Sequence, residues 1–206
     1  MIRYFFNYIR KNTRSLFKRR AHSEIIISEK MKIRDEVRAG KQKFSEEARN
    51  YQSDKILEKI ESQQEFIKAK TLLMYWSMSD EVSTHNFIRK WSESKTILLP
   101  VVKGHHMTLR PFTHKDELSK SDLGMMEPQS SQDYLQKVDL AIIPGMAFDR
   151  NKRRLGRGKG YYDRYFKNRN FSKWGICFDF QLYHNLPSAS FDIRMDKVIT
   201  PDEIIV

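Results

Sequence analysis

Short apolar runs separated by stretches of helical periodicity set the pattern of this 206-residue chain. Residues 71–76, 96–102 and 138–143 are compact apolar segments, punctuated by Pro100, Gly104 and Pro144-Gly145, which predicts buried strands. Residues 107–112 predict a short strand of mixed exposure, and 174–178 and 197–199 predict later strands. Met31, Ile33, Arg34 and Val37 predict a short cationic amphipathic helix over 31–38, with Gly40 weakening its continuation. Ser45 before Glu46 and Glu47 reads as an N-cap with acids in the first turn, and Ala48, Ile56, Leu57 and Ile60 give that helix an apolar face to about Glu61. Residues 82–91 and 160–168 predict two more helices, whereas 113–136 is polar and loop-rich around a knot at 124–128. Strands alternating with helices predict the α/β class: a three-layer α/β/α sandwich with a mostly parallel central sheet in a single domain.

Composition adds little to this picture, and charge adds more. No run approaches the roughly 18 apolar residues that a membrane span needs, so a soluble chain with no membrane partner is expected. The lone Cys177 excludes an internal disulfide and sits in the apolar run 174–178, where a small core side chain is expected rather than a nucleophile. A reducing, cytoplasmic setting suits that usage. The net charge of +12 points to anions. Seven positive charges (Arg3, Arg10, Lys11, Arg14, Lys18, Arg19 and Arg20) precede the first acid, Glu24, and subtracting them from +12 leaves only +5 for the rest. Most of the signal therefore lies in residues 1–29, read as a basic, non-catalytic extension ahead of a catalytic domain over 30–206. An organelle-targeting peptide or a disordered arm has the same composition.

The most unusual local sequence runs from Pro144 to Asp163, through strand, loop and helix. Arg150, Lys152, Arg153, Arg154, Arg157 and Lys159 crowd one loop, and Gly156, Gly158 and Gly160 alternate with the last two cations. Glycines let backbone N–H groups approach a ligand, arginine forks suit phosphate oxygens, and a following helix adds its positive end. Tyr161 and Tyr162 offer rings for stacking, and Asp163 is a natural Mg²⁺ ligand beside phosphates. The P-loop and dinucleotide fingerprints both fail, because Gly160 follows Lys159 where Ser or Thr is needed, and Tyr161 stands where a third glycine is needed. By composition alone a polyphosphate site and a basic surface loop are equally open, and Tyr161-Tyr162 followed by Asp163 shift the balance towards a site. The adjacent His105-His106 pair makes no metal motif, and no serine-hydrolase elbow is present.

Residues 154–163, Arg-Leu-Gly-Arg-Gly-Lys-Gly-Tyr-Tyr-Asp, resemble the signature of the 5-formyltetrahydrofolate cyclo-ligase (5,10-methenyltetrahydrofolate synthetase) family, and 144–149 resemble its strand-exit motif. The resemblance runs from about Lys30 to about Thr200. It implies ATP and Mg²⁺ as cosubstrate and metal, and conversion of 5-formyltetrahydrofolate, possibly polyglutamylated, to the 5,10-methenyl form by a monomer. It also implies roles for individual residues. Lys30, Arg34, Arg154, Leu155, Gly156, Arg157, Gly158, Lys159, Gly160, Tyr161 and Tyr162 would contact ATP, with Arg157, Lys159 and Tyr162 at the chemistry. Trp76 and Glu81 would contact the folate, Trp76 standing where the family is usually aliphatic. Asp163 and Asp192 would hold Mg²⁺, and Glu127-Pro128 resembles a further landmark. Two rivals remain: a nucleic-acid-binding protein that uses the basic tail and loop, and a family member that binds without turnover.

Overall fold

One long helix, α1 (Ile2–Lys43), opens the chain in the computed structural model, which describes residues 2–113, 118–121, 124–129, 132–189 and 192–206, with 2–20 and 22 described by backbone alone. The short helix expected over 31–38 is thus part of a continuous one, unbroken at position 29 and at Gly40. Packing explains Gly40: a Cβ there would lie 3.0 Å from Phe180 Cδ2, so glycine lets the helix rest against that ring. Its cost, about 1 kcal/mol relative to alanine in a helix, is offset by burial of Val37 among Met146, Ala147, Leu155 and Leu186.

Helix α2 (Glu46–Glu61) begins where its sequence predicts. Ser45 is extended, its Oγ accepts from Ala48 N at 3.1 Å, and Glu46 and Glu47 fill the first turn. Ser45→Ala should cost about 1 kcal/mol, read as a lower urea midpoint at unchanged m-value. An unmoved midpoint would show that the cap adds nothing.

The order continues through α3 (Gln64–Lys68), β1 (Thr71–Leu73), α4 (His85–Trp91), β2 (Thr96–Lys103) and β3 (His106–Phe112). Within the segment read as loop-rich, β4 (Leu118–Lys120) and β5 (Met126–Pro128) pair as a small antiparallel sheet. Then come β6 (Leu140–Pro144), β7 (Ala147–Asp149), β8 (Arg154–Leu155), α5 (Tyr161–Phe166), β9 (Ser172–Ile176), a 3-10 turn (Asp179–Gln181), β10 (Leu182–Tyr183), β11 (Lys197–Ile199) and β12 (Ile204–Ile205).

The main sheet has the order β12-β11-β9-β6-β1-β2-β3. Its five inner strands are parallel, and β3 and β12 close the edges antiparallel. Side chains of a strand alternate between faces. Leu72, Ile97 and Leu140 meet Ile56, Ile60, Phe66 and Ile88 of the helices α2 to α4 on one side. Leu73, Leu98 and Ala141 face the other side, covered by Phe166 of α5 and Phe148 of β7. The expected mostly parallel sandwich is therefore present, with one addition: a three-stranded sheet, β10-β7-β8, shares the second layer with α5. Cys177 is buried, and burial pushes its thiol well above the usual range, as a core side chain requires.

Strand order reverses at β1, which has β2 on one side and β6, then β9 and β11, on the other. Loops leaving the carboxyl ends of β1 and β6 therefore diverge across a crevice, the position where open α/β sheets bind ligands.

Candidate active site

The loop after β1 is closed by its own side chains. Ser77 N donates to Thr84 Oγ1 and Thr84 N to Ser77 Oγ, each at 3.1 Å, while Thr84 Oγ1 donates to Tyr75 O at 2.6 Å. These buried bonds explain two shortened elements. The strand expected over 71–76 ends at Leu73, and the helix expected from Val82 starts at His85, because the intervening backbone is used to shape the loop. The loop borders a cavity of about 350 Å³ lined by Trp76, Ser77, Met78, Asp80, His85 and Met126, among others. Trp76 stacks on the His85 ring at 4.3 Å between centroids and 17° between planes, and Arg89 Cζ lies 5.2 Å from its centre. Such a wall offers a flat π surface. Glu81 lies in the same loop, its Oε2 accepting from Met78 N at 3.1 Å.

The chain leaving β6 runs through β7 and β8, and the loop after β8 carries the glycine-spaced cations. Gly158 and Gly160 have φ of 102° and 67°, in the left-handed region where glycine is at ease. Arg34 reaches from α1 to donate from Nε to Gly156 O at 2.9 Å, and a Cβ on Gly158 would sit 3.7 Å from the same guanidinium. Arg34 thus braces the glycine-spaced backbone. Lys30, one turn earlier, ion-pairs with Asp192, which also accepts from Ala189 N at 2.7 Å. Helix α5 spans only 161–166 rather than 160–168, with Gly160 as an N-cap lacking any side-chain cap bond. Lys167 leaves helical geometry as its C-cap, and Asn168 takes a φ of 65°.

Arg154 is the interior hub. It donates from Nε to Pro144 O at 2.8 Å, lies 3.9 Å from Asp163 Oδ2, and stacks over Tyr162 with Cζ 4.8 Å from the ring centre. Burial lowers its pKa, and the negative groups Asp163, Glu81 and Asp192 act against that shift. Burial also raises the Tyr162 phenol far above its ordinary value. Tyr162 is therefore a neutral ring and hydroxyl, not a base. Leu155 is buried in the core, so only its backbone is available to a ligand. Tyr161 donates from its hydroxyl to Gly104 O at 3.0 Å, which ties α5 to the β2–β3 turn. Glu127 likewise has a structural partner, accepting from Val102 N at 3.2 Å.

Arg157 and Lys159 remain exposed, and Arg157 crosses the crevice. Its Nη2 lies 2.8 Å from Glu81 Oε1 and 3.2 Å from Asp80 Oδ1, joining the two loops. Desolvation opposes its charge, but Glu81 and Asp80 prevail and its pKa is raised. Among the described residues no cluster of three or more His, Cys, Asp or Glu is arranged to hold a metal. Mg²⁺ typically takes one or two carboxylates and completes its shell with phosphate oxygens and water. Asp163, 3.9 Å from Arg154, and Asp192, ion-paired with Lys30, are the carboxylates available for that use.

Sequence reasoning missed Asp80, Lys41 and His85. Asp80 directly precedes Glu81, and a second carboxylate beside a candidate site residue was a usable signal. Lys41 and His85 carried none, because only tertiary packing brings them to the site.

Comparison with known proteins agrees with the geometry. The sequence pattern of the 5-formyltetrahydrofolate cyclo-ligase family matches residues 26–201. A probable 5-formyltetrahydrofolate cyclo-ligase of Caenorhabditis elegans is 31% identical over 182 residues, covering 80% of this chain and 88% of that protein. The 5-formyltetrahydrofolate cyclo-ligase of Haemophilus influenzae is 28% identical over 142 residues, covering 64% of this chain and 76% of that one. The solved structure of Aquifex aeolicus 5,10-methenyltetrahydrofolate synthetase superposes with a TM-score of 0.78 at 32% identity, covering 85% of this chain and 91% of its own. Among the described residues no helix is long and apolar enough to cross a membrane. The chain belongs to the 5-formyltetrahydrofolate cyclo-ligase family.

Proposed function

We propose that this chain converts 5-formyltetrahydrofolate to 5,10-methenyltetrahydrofolate, with MgATP converted to ADP and phosphate. The observation that carries the reading is the meeting of two loops at the sheet's switch point. One is glycine-spaced and cationic, the other bears Glu81 beside a flat-walled cavity, and Arg157 lies 2.8 Å from Glu81 across the gap. The family match supports the same substrates.

The chemistry explains the need for ATP. A formamide oxygen is a poor leaving group. Its attack on the γ-phosphorus breaks the bond to ADP and leaves the formyl carbon as an iminium-like phosphate ester. N10 attacks that carbon, loses its proton, and phosphate departs with the former formyl oxygen. The protein's contribution is placement and charge stabilisation. Arg157, Lys159 and the amides of Gly156, Gly158 and Gly160 hold the phosphates, with Arg157 nearest the developing charge. Arg154, buried and beside Asp163, acts from beneath by fixing Asp163 and Tyr162. Asp163 and Asp192 would hold Mg²⁺, directly or through water, which would supply positive charge against the phosphates. Lys30 and Arg34 close the site from α1. Glu81 accepts from the pterin edge, and Trp76 lines the folate pocket. Residues 1–29 lie outside the catalytic unit, which acts as a cytoplasmic monomer on mono- or polyglutamylated folate.

Mixing the protein, MgATP and 5-formyltetrahydrofolate should give the growing absorbance of methenyltetrahydrofolate, dependent on both ATP and Mg²⁺. No product at saturating ATP would remove the enzyme assignment and leave a binding protein.

A further inference from the structure

Asp80 and Lys41 have no part in the reading above, yet Asp80 helps hold its central arginine and Lys41 holds Asp80. Lys41 reaches from α1 with its side chain only 6% exposed, and its ammonium donates to Asp80 Oδ2 at 2.9 Å. Arg157 Nη2 lies 3.2 Å from the other oxygen of Asp80 and 2.8 Å from Glu81 Oε1. The second oxygen of Glu81 accepts from Met78 N. Both oxygens of the carboxylate assigned to the pterin are thus engaged within the chain, one of them by the guanidinium assigned to the γ-phosphate. One side chain cannot serve both. A triphosphate offers more negative charge than Glu81, so nucleotide binding would draw Arg157 across the crevice and leave Glu81 Oε1 open to a pterin N–H.

We infer that the Lys41–Asp80 pair is a positioning element that sets how firmly Arg157 stays on Glu81, and that MgATP and folate therefore bind with positive coupling. This rests on the cyclo-ligase reading. Its two members act in opposite directions. Lys41 neutralises Asp80, so removing Lys41 leaves a bare carboxylate that holds Arg157 harder on the folate side. Removing the charge of Asp80 releases Arg157 and leaves the Lys41 ammonium to repel it. The pKa of Asp80 supports the arrangement: burial works against its charge, yet Lys41 and Arg157 outweigh burial and hold it below its ordinary value.

Calorimetric titration of 5-formyltetrahydrofolate into the full chain, with and without Mg²⁺ and a non-hydrolysable ATP analogue, tests the inference. The analogue should tighten folate binding about tenfold, with the reciprocal effect on the analogue. Asp80→Asn should tighten folate binding in the absence of nucleotide and shrink the coupling, whereas Lys41→Met should weaken it and enlarge the coupling. Equal folate affinity with and without the analogue overturns the inference on the unsubstituted chain alone, whatever the variants do. Both variants shifting coupling in one direction, as simple loss of packing would cause, also overturns it. Absence of folate binding in every sample overturns the cyclo-ligase reading together with it, while turnover without coupling overturns only the inference.

Discussion

Arg157→Ala should lower turnover about 100-fold, roughly 2.7 kcal/mol of barrier, at saturating MgATP and folate. The guanidinium is half-exposed and held across the crevice by two carboxylates, so it is preorganised yet reachable by a phosphate. Glu81 and Asp80 raise its pKa against the effect of burial, so its charge persists at every working pH. No other described cation spans from the glycine-spaced loop to Glu81, and water is a poor substitute for a fixed charge in a partly desolvated crevice. Arg157→Lys should recover part of the loss, since lysine keeps the charge but not the planar fork. The rate of methenyltetrahydrofolate formation checks both variants, alongside melting curves to show intact folding. Near-normal turnover in Arg157→Ala would remove its charge-stabilising role.

The sequence displayed the elements that depend on local chemistry. Ser45 with its two following glutamates marked the start of α2, and the apolar runs marked the cores of β1, β2, β6, β9 and β11. It concealed boundaries decided by long-range contacts. Gly40 read as weakening its helix because the partner that favours it, Phe180, lies 140 residues away in the chain. Residues 82–84 read as helix because the crossed Ser77–Thr84 bonds are not periodic. The cationic loop showed the same division. Glycine spacing and charge were visible, but nothing local distinguished buried Arg154 from exposed Arg157 three residues on. Their difference arises because Arg154 is itself in β8, paired with Phe148 of β7, whereas Arg157 lies beyond the strand's end. The proposal that Glu81 meets a folate edge came from family resemblance, and no spacing argument could supply it.

The stability of that loop should depend on Asp149, the last residue of the strand-exit motif. It is fully buried, and its two oxygens accept three backbone N–H groups: Oδ1 from Asn151 at 2.9 Å and Arg153 at 2.8 Å, and Oδ2 from Leu186 at 2.8 Å. These bonds fold the β7–β8 turn, in which Lys152 takes a φ of 62°, and tie it to the segment after β10. Asp149→Ala leaves all three donors without this acceptor and opens a small void in a site water cannot readily fill. Each buried, unsatisfied group costs about 1–3 kcal/mol. The Leu186 bond is buried but those of Asn151 and Arg153 are only partly so, which puts them at the low end and makes a total loss of about 3–5 kcal/mol expected. At roughly 2–4 °C per kcal/mol for a chain of this size, the melting temperature should fall by about 6–20 °C. Asp149→Asn separates hydrogen bonding from void formation. Its single oxygen can keep either the pair at Asn151 and Arg153 or the bond from Leu186, while its amide nitrogen must face an N–H on the other side. It should therefore lie between the wild type and Asp149→Ala in denaturation. Equal stability of Asp149→Ala and the wild type would show that the turn is held by β7–β8 pairing alone, and Arg154 would owe its placement to the strand rather than to this carboxylate.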